Sequence, residues 1–211
     1  MTEPKEVGKG TFSDLTTYEK WVRGEGVPIY TGFFVEDLRT LAVEPWERKG
    51  GLGAFITLEG TGQTNDAYVC EIPPGGSLKP QRQLFEELIY VLNGRGATTV
   101  WHEGGKKLTL EWQAGSLFSP PLNTWHQHFN GQGDQPARYL ALRWGSRKYR
   151  RGEELARGRD VTTAGKSETS VKLGGDQLEY EDEDPRILQM FKDACAKSGA
   201  EVRMDRFFQK K

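Results

Sequence analysis

The sequence predicts an all-β domain built as a single barrel or sandwich, and three observations carry that reading. Between residues 32 and 142, short runs rich in Val, Ile, Thr, Phe, Tyr and Trp alternate with glycine-bearing turns. Two of the turns, Asn93-Gly94 and Glu103-Gly104-Gly105, carry the residues that tight reversals between antiparallel strands require. No helical period interrupts the runs, which argues against the alternating strand and helix of a parallel sheet. A chain of 211 residues, 36% hydrophobic and 11% aromatic, can bury one sizeable core, and an all-β barrel of that length is commonly one domain.

Each element follows from its local pattern. Ser13 can cap a short helix in which Leu15, Tyr18, Trp21 and Val22 recur at helical spacing, with Gly24 as its stop. This N-terminal extension, residues 1–31, is expected to pack outside the barrel. Strands are expected over 33–43, 53–58, 67–72, 88–92, 97–102, 107–112, 124–129 and 139–143, within a barrel domain spanning 32–145. Residues 146–211 begin with a charged stretch containing Arg147-Lys148-Tyr149-Arg150-Arg151. Glu153, Glu154 and Asp160 break up its basic character, so it reads as a solvated loop or subunit-contact arm. An amphipathic helix follows: Asp184 is its N-cap, Pro185 its first residue, Ile187, Leu188, Phe191, Ala194 and Cys195 its apolar face, and Gly199 its end. That face must bury on the barrel or on a partner.

Charge narrows the partners. Lys and Arg number 29 against 30 Asp and Glu, a formal net charge of −1, so no broad field draws nucleic acid or anionic lipid. The N-terminus is polar and no run is apolar enough to span a bilayer, so a cytoplasmic protein acting on a small molecule is expected. Cys70 and Cys195 form no CxxC motif, and Cys70 reads as an ordinary buried strand residue.

Two motifs then stand out. Gly75, Gln81, Gln83, Glu87 and Gly94 fall at the spacing of a glycine, two histidines one residue apart, a glutamate and a closing glycine, with glutamines in both histidine places. Gly115, Pro121, His126 and Asn130 fall at the spacing of a second motif, in which Asn123 replaces a glycine; asparagine also tolerates a left-handed turn. In this order, separated by a hairpin, the pair resembles the two motifs of the cupin superfamily. The resemblance implies a double-stranded β-helix, a jelly-roll-like antiparallel barrel with a small-ligand site at one mouth. It also implies a ligand set for one divalent metal (Fe, Mn, Ni or Zn) at Gln81, Gln83, Glu87 and His126. A glutamine offers only a neutral amide oxygen, so a weakened site or a metal-free one is expected.

Other residues join this group by strand alternation. His128 lies two residues beyond His126 and leaves on the same face. It can replace a missing ligand, act as an acid or base near neutral pH, or stack in the core. Glu87, pointing inward, needs a cation, a proton, Arg82 or a histidine beside it. Tyr68, Trp101, Phe118 and Trp125 supply aromatic surface for a ligand, with the first three as substrate-binding candidates, while His102 beside its turn is a surface residue. Two functions fit. One is an enzyme (dioxygenase, decarboxylase, lyase or isomerase) acting on a small organic acid or aromatic compound, with Glu87, His126 and His128 catalytic. The other is a non-catalytic ligand-binding or scaffold barrel that has lost its metal. Edge strands of an open barrel need cover, so a homodimer is expected.

Overall fold

A computed structural model describes residues 17–61, 65–144 and 185–201. Helix α1 covers Thr17–Gly24, and ten strands follow: β1 Ile29–Gly32, β2 Glu44–Trp46, β3 Gly51–Leu58, β4 Asn65–Ile72, β5 Glu86–Asn93, β6 Arg95–Trp101, β7 Leu108–Gln113, β8 Leu117–Phe118, β9 Trp125–Asn130 and β10 Ala137–Trp144. Helix α2, Pro185–Ser198, belongs to a separate compact unit and is described by itself. It ends as the sequence predicts, with Gly199 at φ 71° and the Ala200 N–H donating to the Cys195 carbonyl at 2.9 Å. Residues Ser13, Leu15, Asp184 and the basic stretch after Trp144 lie outside the described residues.

The strands form two sheets. In the larger, the order is β1-β3-β4-β10-β5-β8, with β2 also paired to β3; in the smaller it is β7-β6-β9. All pairings are antiparallel except β1 with β3, where Ile29 runs alongside Phe55. This is the expected all-β cupin barrel. Gly94, at φ 85°, turns β5 into β6, and Gly104, at φ 70°, turns β6 toward β7. Asn123, at φ 60°, is the one non-glycine residue in the left-handed region among those described, as its place in the second motif anticipates.

The main core lies inside the barrel around Phe55, Tyr68, Ile72, Ile89, Val91 and Tyr139, and α1 adds Val22 to it, with Tyr18 and Trp21 packed against it. A second cluster, centred on Leu41, Ala54, Ile56 and Val69, covers the other face of β3 and β4. Residues 33–43, expected as a strand, supply that cover as irregular chain; the correction has a physical cause. The Arg138 guanidinium collects the carbonyls of Leu38, Arg39 and Leu41 at 3.2, 2.9 and 2.8 Å. Three acceptors so close in sequence aimed at one donor cannot belong to a strand, whose carbonyls alternate in direction. The apolar residues Val35, Leu38, Leu41 and Val43 reflect burial of this covering segment against the sheet.

Candidate functional site

Four segments aim polar side chains into the barrel. On β9 the alternation is regular, burying His126, His128 and Asn130 while Trp125, Gln127 and Phe129 face outward. On β5 it buries Glu87, Ile89 and Val91 and exposes Glu86, Leu88 and Tyr90. β4 contributes Tyr68 and Cys70 to the interior core. The fourth contributor is the turn from β2 to β3. There the Lys49 and Gly50 N–H groups donate to the Trp46 carbonyl, at 3.1 and 2.8 Å, and Gly50 takes φ 75°. Lys49 is thereby directed inward and is only 5% exposed.

These side chains make one hydrogen-bonded line. Lys49 Nζ donates to the Tyr68 hydroxyl at 2.8 Å, and that hydroxyl donates to Glu87 Oε1 at 2.6 Å. Glu87 Oε2 accepts from Gln83 Nε2 at 3.2 Å. The ammonium also sits over the Tyr68 ring, 4.6 Å from its centre. Burial, then the charge of Glu87, pushes the Tyr68 phenol well above its ordinary range, so it stays protonated and donates. Burial likewise lifts the Cys70 thiol to about 11, which fits an inert core cysteine.

Facing this line are two buried imidazoles, ring centres 5.3 Å apart. Thr98 Oγ1 accepts from Trp112 Nε1 at 2.9 Å and lies 2.7 Å from His128 Nδ1. When the hydroxyl gives its own proton to Nδ1, Nε2 of His128 carries the ring hydrogen. That Nε2 has no partner, and neither Nδ1 nor Nε2 of His126 has one. Buried polar atoms left unpaired are costly, so three in one place mark where a ligand would bind.

Both imidazoles are held neutral. Burial is the main cause in each: it lowers His126, where Glu87 and, least of all, the Thr124 backbone pull upward and Lys49 downward, and lowers His128 strongly, with His126 and Lys49 adding to the effect. Their lowered values make stability pH-dependent. Below the ordinary histidine range near 6.5 the unfolded chain takes up protons that the folded chain refuses, so stability falls as pH falls. Chemical denaturation from about pH 7.5 to 5.5 should show a loss of up to about 1.4 kcal/mol per pH unit for each histidine. His128→Gln should flatten that slope. An equally steep slope in the variant would assign it to other groups.

The structure places the sequence-predicted residues unevenly. Gln81 pairs directly across from His126, its N–H donating to the His126 carbonyl at 2.8 Å. Its side-chain amide, however, turns to the carbonyls of Arg48 and Pro80, each at 3.3 Å. Arg82 does not reach Glu87 and bonds Asn123 Oδ1 at 3.0 Å. Phe118 packs 6.1 Å from the His128 ring, and Tyr68 is a member of the polar line itself. Trp101 and Trp125 are a correction: they stack on each other at 6.4 Å on the face opposite Val100 and His126, because each falls one residue out of phase with the inward positions. The lining of an open hollow of about 600 Å³, which includes Arg95, Glu111, Trp112, Gln113 and Phe129, contains none of the predicted site residues. Sequence reasoning missed Lys49 and Thr98 altogether.

A divalent cation does not fit the donors present. Among the described residues no group of three or more His, Cys, Asp or Glu could hold one. The Gln81 amide donates its NH2 to backbone carbonyls and has only a neutral carbonyl oxygen to offer a metal, both Glu87 oxygens already accept hydrogen bonds, and an ammonium stands two hydrogen bonds away.

Comparison with known proteins gives matches to part of the chain. No curated protein matches the chain. Among solved structures, an oxalate decarboxylase from Lactobacillus farciminis in a formate complex is 25% identical with a TM-score of 0.43, over 51% of this chain and 32% of that one. The cupin domain of Schizosaccharomyces pombe Cnp3 is 16% identical with a TM-score of 0.43, over 60% and 81%. A Bacillus subtilis oxalate decarboxylase with Mn(II) centres is 25% identical with a TM-score of 0.42, over 48% and 27%. The match thus spans about a third or less of each decarboxylase's length. No helix among the described residues is long and apolar enough to cross a membrane. The model of the Cupin domain family matches residues 68–143, from the Tyr68 of the polar line to Arg143 near the end of β10, so this segment of the chain is similar to a cupin domain.

Proposed function

We propose that the barrel interior binds a small organic acid or aromatic compound and moves a proton on it, in lyase- or isomerase-type chemistry carried by Glu87, His126 and His128. The observation that supports this most is the set of three unpartnered buried imidazole nitrogens opposite a carboxylate fixed by Tyr68 and Gln83. A neutral imidazole with both nitrogens unpaired can accept a proton at one and donate at the other, which is what general acid–base catalysis needs near neutral pH. Tyr68, kept protonated, holds Glu87 in position. Dioxygenase or decarboxylase chemistry through a resident metal has less support, because glutamines stand where the strong ligands would be. Fold alone does not separate turnover from binding.

A panel of small carboxylic acids and aromatic acids, incubated with the full chain in D2O and followed by NMR and by thermal stabilisation, tests the proposal. At least one compound should stabilise the protein and either convert or exchange a C–H proton for deuterium, and His126→Ala should remove both effects. Stabilisation without exchange or conversion would make this a binding module; no stabilisation by any compound would refute the site.

A further inference from the structure

The buried charges of the barrel pair off in a revealing way. Arg143 is engaged by Asp66 at 2.7 Å, and Arg138 by Glu71 at 2.6 Å. Glu87, 2% exposed, has no arginine within ion-pair distance among the described residues. The cation linked to it is Lys49, through the Tyr68 hydroxyl. Trp46 and Tyr68 flank the ammonium with their ring faces, at 5.7 and 4.6 Å. Its backbone is fixed as well, since the Lys49 carbonyl accepts from the Lys79 N–H at 2.7 Å. Its charge is felt by His126 and His128, both of which it pushes down.

From this we infer that Lys49 is the resident cation of the site: its ammonium takes the electrostatic place of a divalent metal, neutralising Glu87 through Tyr68. The inference rests on the site proposed above, though not on turnover there. A buried carboxylate needs one counter-charge, and Lys49 supplies it. A divalent ion added beside it would leave the low-dielectric interior with a surplus of positive charge, so metal affinity is suppressed by the lysine as well as by the two glutamines. The two ammonium hydrogens not given to Tyr68 suit the anionic end of a small acid, which a metal would otherwise hold.

Equilibrium dialysis of the full chain against Zn(II) separates the contributions. In a Gln81→His/Gln83→His chain, adding Lys49→Met should tighten Zn(II) binding by about tenfold or more, because the repelling charge is gone. Adding Lys49→Arg, which keeps the charge, should leave the affinity near that of the histidine pair alone. Lys49→Gln, neutral and polar, should give the same gain as Lys49→Met and covers the case in which the latter does not fold. Equal Zn(II) affinity with and without the charge, including none detectable in either, overturns the inference. So does tight stoichiometric Zn(II) binding by the unaltered chain. Because nothing is turned over, a negative result here leaves the proton-transfer proposal intact, and absence of any turnover in the acid panel leaves this result intact.

Discussion

Asp66→Ala should destabilise the protein by about 3–5 kcal/mol, because it strands a buried cation. The Arg143 guanidinium is 5% exposed and bonds both Asp66 oxygens, Nε at 3.1 Å and Nη2 at 2.7 Å. It lies between the rings of Phe55 at 5.0 Å, Trp21 at 5.3 Å and Tyr68 at 5.4 Å, with the Tyr18 hydroxyl at 2.8 Å from Nη2. Removing the carboxylate leaves the charge among aromatic faces with one neutral acceptor, which returns little of the lost hydration. The pair also joins α1 to β10 and β4, so its loss should loosen the helix from the barrel. Replacing both partners by apolar residues, Asp66→Leu with Arg143→Met, should recover most of the loss, since neither charge is then left buried. Urea unfolding of the two single variants and the double one measures the coupling directly. A cost under about 1 kcal/mol for Asp66→Ala would mean that solvent reaches Arg143 in solution.

The contrast between what the sequence shows and what it hides follows the same electrostatics. Strands whose apolar residues alternate were legible to within about two residues, and so was the left-handed turn at Asn123, because those features are local. The motif spacing implied a shared ligand set for Gln81 and His126 but not that their backbones pair. Charged residues, by contrast, read as surface. Arg143 could have been found: Tyr139, Ala141 and Arg143 occupy one phase of β10, and the first two are plainly inward. Lys49 offered no such signal. It sits in a Lys-Gly-Gly turn, where composition suggests solvent, and its inward direction depends on the tight turn about Trp46 and on the aromatic walls contributed by β2 and β4. Residues 33–43 were misread for the converse reason: their apolar spacing records burial against the outer face of the sheet, which strand and covering loop share. The two-residue β8 is too short to show a period.

Glu87→Gln should lower turnover of whichever small acid the panel identifies by about 100-fold or more, with the fold kept. The substitution preserves shape but replaces an acceptor oxygen by an NH2 group. That group must then face either the Tyr68 hydroxyl, which donates to Oε1 at 2.6 Å, or the Gln83 amide, which donates to Oε2 at 3.2 Å. One of these contacts becomes donor against donor, and the counter-charge of Lys49 is lost from the interior. If Glu87 moves the proton, kcat falls while ligand-induced thermal stabilisation changes little. If it only balances Lys49, the released ammonium should bind an anionic ligand more tightly, and KM should fall instead. Tyr68→Phe distinguishes the two further, since it cuts the link between Lys49 and Glu87 and leaves both charges in place. For a proton-moving Glu87 it should reduce kcat less than Glu87→Gln does. His102→Ala, exposed beside its turn, should alter neither activity nor stability. Unchanged kcat, KM and ligand binding in Glu87→Gln would make the whole buried line structural and place the chemistry elsewhere in the chain.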